Sequence, residues 1–204
     1  MITELIDIAF PSICLACGAK PKPLCNGCVP EFGLNQDNEG VYFAAGLTPE
    51  LMEILGALKD LNRTALIAPL AKGLRPVLNK AVLDCSPTLL VCPPSSKRNF
   101  RKRGFNPALN LFKLANGSGI AITDQALKHS FEPLEQRGLN RPGRQLNALG
   151  RYRAKPNRHR VLLVDDVMTT GATLTAAAKA LAATGAEVVG KCVLARRFAN
   201  SSHG

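Results

Sequence analysis

Apolar residues run unbroken from Val161 to Val164 and then give way to two carboxylates, Asp165 and Asp166. Four consecutive apolar positions predict a buried strand. Beyond it Leu174, Ala178 and Leu181 keep a helical spacing, so a helix is predicted over 174–184 with Gly185 to end it, and 187–195 reads as the next strand. Residues 88–92 predict a further strand, and helical patterns cover 49–59 and 63–79. A shorter helix over 108–115 carries its own start signal, Asn106 as N-cap and Pro107 at the first helical position. These elements together predict an α/β fold, a parallel-rich sheet with helices on both faces. The two acids then lie at the carboxyl end of a strand, where open α/β sheets bind ligands.

Neighbouring strand residues point to opposite faces, so Asp165 and Asp166 suit acceptance of hydrogen bonds from vicinal hydroxyls better than a shared proton. After Met168, the run Thr169, Thr170, Gly171, Ala172, Thr173 offers backbone N–H groups without bulk, flanking hydroxyls and the positive end of the following helix. Acids for a sugar and a loop for a phosphate predict a sugar-phosphate site. A Rossmann-like turn or a solvated loop is the alternative, although the combined pattern is far more restrictive than a lone glycine motif. It resembles the phosphoribosyl-pyrophosphate (PRPP) loop of type I phosphoribosyltransferases. The resemblance implies that Asp165 and Asp166 hold the ribose 2′- and 3′-hydroxyls, that Met168 and the five residues after it hold the 5′-phosphate, and that Mg2+ accompanies the ligand.

Cys14, Cys17, Cys25 and Cys28 form two Cys-x-x-Cys knuckles joined by a connector bearing Lys and Pro. Four thiolates at this spacing can close a tetrahedron around structural zinc, with no position left open for catalysis. Two disulfides or a redox Cys-x-x-Cys are the alternatives. Both fit less well: the helix-like stretch over 2–10 carries Glu4 and Asp7 and no basic residue, unlike a secretory leader, and no thioredoxin-like pattern surrounds the cysteines. A cytoplasmic protein is expected, and no apolar run approaches the length of a membrane span. Cys85, Cys92 and Cys192 stand alone and read as core thiols, and His129, His159 and His203 read as exposed surface residues.

A chain of 204 residues and 21.8 kDa suits one α/β domain with a small appendage. The polar stretch over 33–40 marks the expected linker, giving a zinc module and linker over 1–40 and a main domain over 41–204. The net charge of +11 is concentrated: 97–103 holds five basic residues and 137–160 holds eight with no acid, half of the 26 Lys and Arg. A merely solvated face would mix signs. The concentration predicts either a funnel for a polyanionic small molecule or a phosphate-tracking groove for nucleic acid. Trp is absent and only Phe100, Phe105 and Tyr152 lie in or beside the basic segments, so contact with phosphates is expected rather than base reading.

The strand over 88–92 runs into Pro93, Pro94, Ser95, Ser96, Lys97 and Arg98, a turn able to present N–H groups and two cations to a second phosphate. Arg101, Lys102, Arg103, Gly104, Phe105 and Asn106 follow. With the four cysteines and the acidic strand end, this order resembles the competence protein ComF family over 14–28, 92–106, 144–151 in outline and 161–195. Pro107 stands where relatives carry Gln, and 152–160 replaces an Asn-x-x-Gly-Ala-Phe-like stretch. The resemblance implies a phosphoribosyltransferase-like domain behind a zinc module. In it Pro94, Ser95, Ser96, Lys97 and Arg98 bind pyrophosphate, and 137–160, with Arg141, Arg144, Gln145 and Arg151, forms a closing flap. In an enzyme Arg98 and Arg144 would stabilise departing pyrophosphate while Asp165 and Asp166 fix the sugar, with no protein nucleophile and an undecoded acceptor. The alternative is a non-catalytic protein of DNA uptake, with single-stranded DNA or a competence-machinery protein as partner.

Overall fold

The computed structural model describes residues 13–19, 23–130, 150–156 and 158–198. Its frame is a six-stranded sheet in the order β1-β2-β8-β7-β3-β4. The strands are β1 Asn35–Gln36, β2 Val41–Gly46, β3 Leu89–Val91, β4 Ile122–Thr123, β7 Arg160–Met168 and β8 Glu187–Arg196. Only β1 pairs antiparallel; the other four pairings are parallel, so five strands end at one edge. A separate antiparallel ribbon joins β5 Leu127–His129 to β6 Tyr152–Ala154. The helices are α1 Pro49–Asp60, α2 Ile67–Cys85, α3 Lys97–Arg103, α4 Pro107–Ala115 and α5 Ala172–Ala182. Among the described residues no helix is long and apolar enough to cross a membrane.

Alternation along the strands sorts the core into two layers. Leu162 and Val164, with Leu90 and Leu194, pack against α1, α2 and α4, where Leu58, Leu70, Leu74, Leu78, Leu111 and Phe112 are fully buried. Val161, Leu163, Val91 and Val193 face the other way, onto Leu174, Ala177 and Leu181 of α5 and onto Leu127 and Tyr152 of the ribbon. Each large aliphatic chain buried in this way contributes about 1.5–3 kcal/mol.

Several elements run beyond their expected bounds. β7 continues past Val164 through both acids, because β8 lies alongside and pairs Asp165 with Val193 and Met168 with Arg196. α2 continues past Asn79 to Cys85: Ala81 is buried, and Pro76 is tolerated inside the helix. α5 starts two residues early, at Ala172, because Gly171 takes a left-handed conformation (φ 74°) and caps it. The basic run over 97–103 is itself a helix, with the Ser96 hydroxyl accepting the Asn99 N–H at 3.2 Å. Within 33–40, Gln36 pairs with Tyr42, and Gly33 donates its N–H to the Ala44 carbonyl at 2.7 Å. Cys14 and Leu24 are buried in the same layer as α1 and α2.

Candidate functional site

The carboxyl ends of β7 and β3 adjoin, since Leu163 pairs with Val91. Asp165 and Asp166 therefore stand beside the turn that begins at Pro93. The two acids differ in surroundings. Asp166 is buried, and its Oδ2 lies 2.8 Å from Lys59 Nζ at the end of α1. Asp165 is partly buried and accepts the Asp166 N–H at 2.9 Å. Burial first, and then the charge of Asp166, push the Asp165 carboxyl up to about 7, against the opposing pull of that N–H, Lys59 and Arg151. The pair thus combines one carboxylate fixed by a cation with one poised to change charge near neutrality, an arrangement found at functional sites.

Beyond the strand, Thr169 and Thr170 are exposed, and Gly171 closes the loop. Gly171 holds φ 74°, a left-handed backbone that favours glycine, and a Cβ there would also have to displace the flexible Met168 methyl end at 2.5 Å. Gly171 at the N-cap has no side chain and only the Thr170 hydroxyl reaches the helix start, accepting the Ala172 N–H at 3.4 Å, so the positive end of an eleven-residue helix faces this loop. Arg151, a flap candidate, donates from Nη1 to Thr173 Oγ1 at 3.3 Å and lies over the Tyr152 ring at 5.9 Å.

The Pro93–Pro94 turn is held from two sides. Asn106 caps α4 as expected, with its Oδ1 accepting the Leu109 N–H, and its Nδ2 donates to the Pro93 carbonyl at 3.1 Å and to Asp124 Oδ2 at 3.2 Å. From the ribbon, His129 Nε2 meets the Pro94 carbonyl at 3.0 Å. His129 is therefore a partly buried neighbour of the site, a correction to its reading as a surface residue; burial holds its imidazole below the usual range. Its ring lies 5.0 Å from that of Tyr152, whose burial pushes the phenol up to about 12. Ser95 and Ser96 are partly buried, and Lys97 and Arg98 stand exposed on the first turn of α3. Arg141, Arg144 and Gln145 lie outside the described residues, as does His203. His159 is exposed. Cys92 and Cys192 are fully buried, as core thiols should be, while Cys85 is only partly so.

Sequence reasoning missed Lys59, Asp124 and His129, and assigned Asn106 only a helix start. Each is an ordinary residue of its local element, and only the strand order brings it to the acids or to the Pro93 turn. No local signal could have found Lys59. The position of Asp124 just past the apolar run 120–122 and Thr123 was the weak signal available for that residue.

At the N-terminal end, one sulfur each from Cys14, Cys17, Cys25 and Cys28 lie within 4.8 Å of one another, and Cys17 Sγ is 3.6 Å from Cys25 Sγ. A zinc–sulfur distance of about 2.3 Å requires tetrahedral edges of about 3.8 Å, so the residues fit the ion. The Cys25 N–H donates to Cys14 Sγ at 3.4 Å and pulls that thiol down to about 6, whereas contact with the Cys25 thiol pushes Cys28 up to about 12. Four thiolates this close repel one another, and a bound cation offsets the repulsion. This is the only such cluster of potential metal ligands among the described residues.

Residues 121–203 match the family model described as a phosphoribosyl transferase domain, a span that includes β7, the loop, α5 and β8. No curated protein shows a significant match to the chain. Among solved structures, the chain is similar to adenine phosphoribosyltransferase of Leishmania tarentolae at 13% identity and a TM-score of 0.38, over 80% of this chain and 94% of that one.

Proposed function

We propose that the chain binds PRPP at the carboxyl end of β7 and transfers its phosphoribosyl group to an acceptor, with release of pyrophosphate. The observation that carries this reading is the direct succession of Asp165, Asp166 and a Gly171-capped helix start within the span that matches the transferase domain. Asp165 and Asp166 accept hydrogen bonds from the ribose hydroxyls. The loop from Met168 to Thr173 takes the 5′-phosphate, aided by the Arg151 guanidinium beside Thr173. Pro94, Ser95 and Ser96 take the pyrophosphate, whose charge Lys97, Arg98 and Arg144 balance. As the bond from C1′ to the pyrophosphate oxygen lengthens, the anomeric carbon gains oxocarbenium character and the acceptor's lone pair closes on it. Mg2+ held largely by the ligand's own oxygens would neutralise the developing phosphate charge, the usual habit of this ion.

The finer reading is a ComF-type protein of the cytoplasm, with a zinc module over 1–40 docked on a transferase domain over 41–204. It is supported by the four clustered sulfurs and by the Arg-Gly-Phe-Asn segment between the two candidate phosphate loops. A thermal-shift titration of the zinc-loaded protein with Mg·PRPP tests the binding step. Ligand at about 100 times its dissociation constant adds roughly 2.7 kcal/mol to the native state. A shift in wild type that is lost in the Asp165→Asn, Asp166→Asn double variant is expected; equal shifts in both would remove the assignment.

One observation favours a second reading, a non-catalytic role in handling single-stranded DNA with a competence-machinery partner. Helix α3 buries none of its residues and displays Phe100, 49% exposed, among five basic side chains. On that reading Arg101→Ala with Phe100→Ala weakens single-stranded DNA binding across sequences and lowers its salt slope by about 1. Affinity that does not respond to salt would eliminate it.

A further inference from the structure

Helix α1 ends in two opposite charges, Lys59 and Asp60, and each meets a different part of the site. Lys59 Nζ lies 2.8 Å from Asp166 Oδ2, the two side chains being 26% and 10% exposed. Asp60 Oδ1 lies 3.3 Å from Lys102 Nζ and 3.5 Å from Arg103 Nη2, both on α3, the helix that follows the Pro94 turn. Successive helix residues are about 100° apart, so one helix end can reach a strand and a neighbouring helix together.

We propose that Lys59 and Asp60 form a positioning clamp, in which Lys59 fixes the Asp166 carboxylate beside Asp165 while Asp60 anchors α3, setting the acid pair against the basic helix. The proposal rests on the reading of the acid pair as the seat of the ribose hydroxyls. The Asp60 contacts are exposed and individually weak, whereas the Lys59 pair is largely shielded and screened less by salt. Two carboxylates side by side relieve their repulsion by retaining a proton unless a cation faces them. The cations facing Asp165 are Lys59 from α1 and Arg151, just before β6; its anionic neighbour is Asp166, and the neutral titratable groups nearby are Cys92 and Tyr152.

The test compares wild type, Lys59→Met and Lys59→Arg in the zinc-loaded full chain. The Asp165 carboxyl is titrated by carbon NMR without ligand, and Mg·PRPP affinity is measured calorimetrically at about pH 6 and about pH 8. In Lys59→Met the Asp165 midpoint is expected to rise by about one unit, which lowers the ionised population at about pH 6 by about tenfold, with a matching loss of PRPP affinity there. Lys59→Arg should keep both near wild type. An unmoved Asp165 midpoint in folded Lys59→Met overturns the clamp, since a purely structural lysine would alter stability and leave the titration alone. Should that variant not fold, Lys59→Gln, which keeps a donor for Asp166 without the charge, serves the same comparison. If wild type binds no PRPP, the phosphoribosyl reading fails, and the ligand-free titration still decides the role of Lys59.

Discussion

Asp165 holds its proton more tightly in the folded chain than an ordinary carboxyl does, because burial and the adjacent Asp166 disfavour its charge. Its sign on stability follows: the native state binds more protons than the unfolded one between the ordinary carboxylate range and about 7, so stability is lost as pH rises through that window. Asp165→Asn is expected to raise the melting temperature by several degrees at about pH 8, with the gain gone near pH 4. Thermal unfolding across pH checks this, and an equal gain at both ends would contradict it. A carboxylate that destabilises the fold at neutral pH is the kind of residue retained for ligand binding. Gly171 acts in the opposite sense. Its left-handed backbone strains any residue with a Cβ, so Gly171→Val should cost about 1–3 kcal/mol in urea unfolding and weaken PRPP binding with it.

Among the elements, α2 carries the clearest packing constraint. A Cβ at Gly73 would fall within the Phe32 ring, which packs on the main core from the segment that follows the cysteines. Helix propensity alone would reward Gly73→Ala by about 1 kcal/mol, but overpacking costs about 1–3 kcal/mol. Net destabilisation by denaturant titration is the expected result, and stabilisation would mean that Phe32 moves aside freely. The same scale marks what a sequence can convey. β7, α5 and β8 were legible because four apolar residues, a helical spacing and a valine-bearing apolar stretch each exceed a turn of local pattern. β1, β4, β5 and β6 are two or three residues long and owe their existence to a neighbouring strand, so no periodicity announces them. The acids and the loop belong to one continuous stretch and could be read together, whereas Lys59 and His129 reach the site only through tertiary packing.

In the whole molecule, the four-cysteine segment meets the main core. Cys14 and Leu24 are buried in the layer that also holds α1, the helix that ends at Lys59. Removal of zinc by a chelator should therefore loosen the cysteine segment first and lower the melting temperature of the rest, with cysteines becoming reactive to a thiol reagent before global unfolding. Thiols that react only with global unfolding would sever the two. Five strands end at one edge, with the acids, the hydroxyl loop and the basic helix around it, and there PRPP is proposed to sit. Hydrogen–deuterium exchange of the zinc-loaded protein with and without Mg·PRPP checks that seat. Slowed exchange is expected in the loop from Thr169 to Thr173 and in the turn from Ser95 to Lys97. Unchanged exchange in both, at ligand concentrations that saturate any binding, would contradict it.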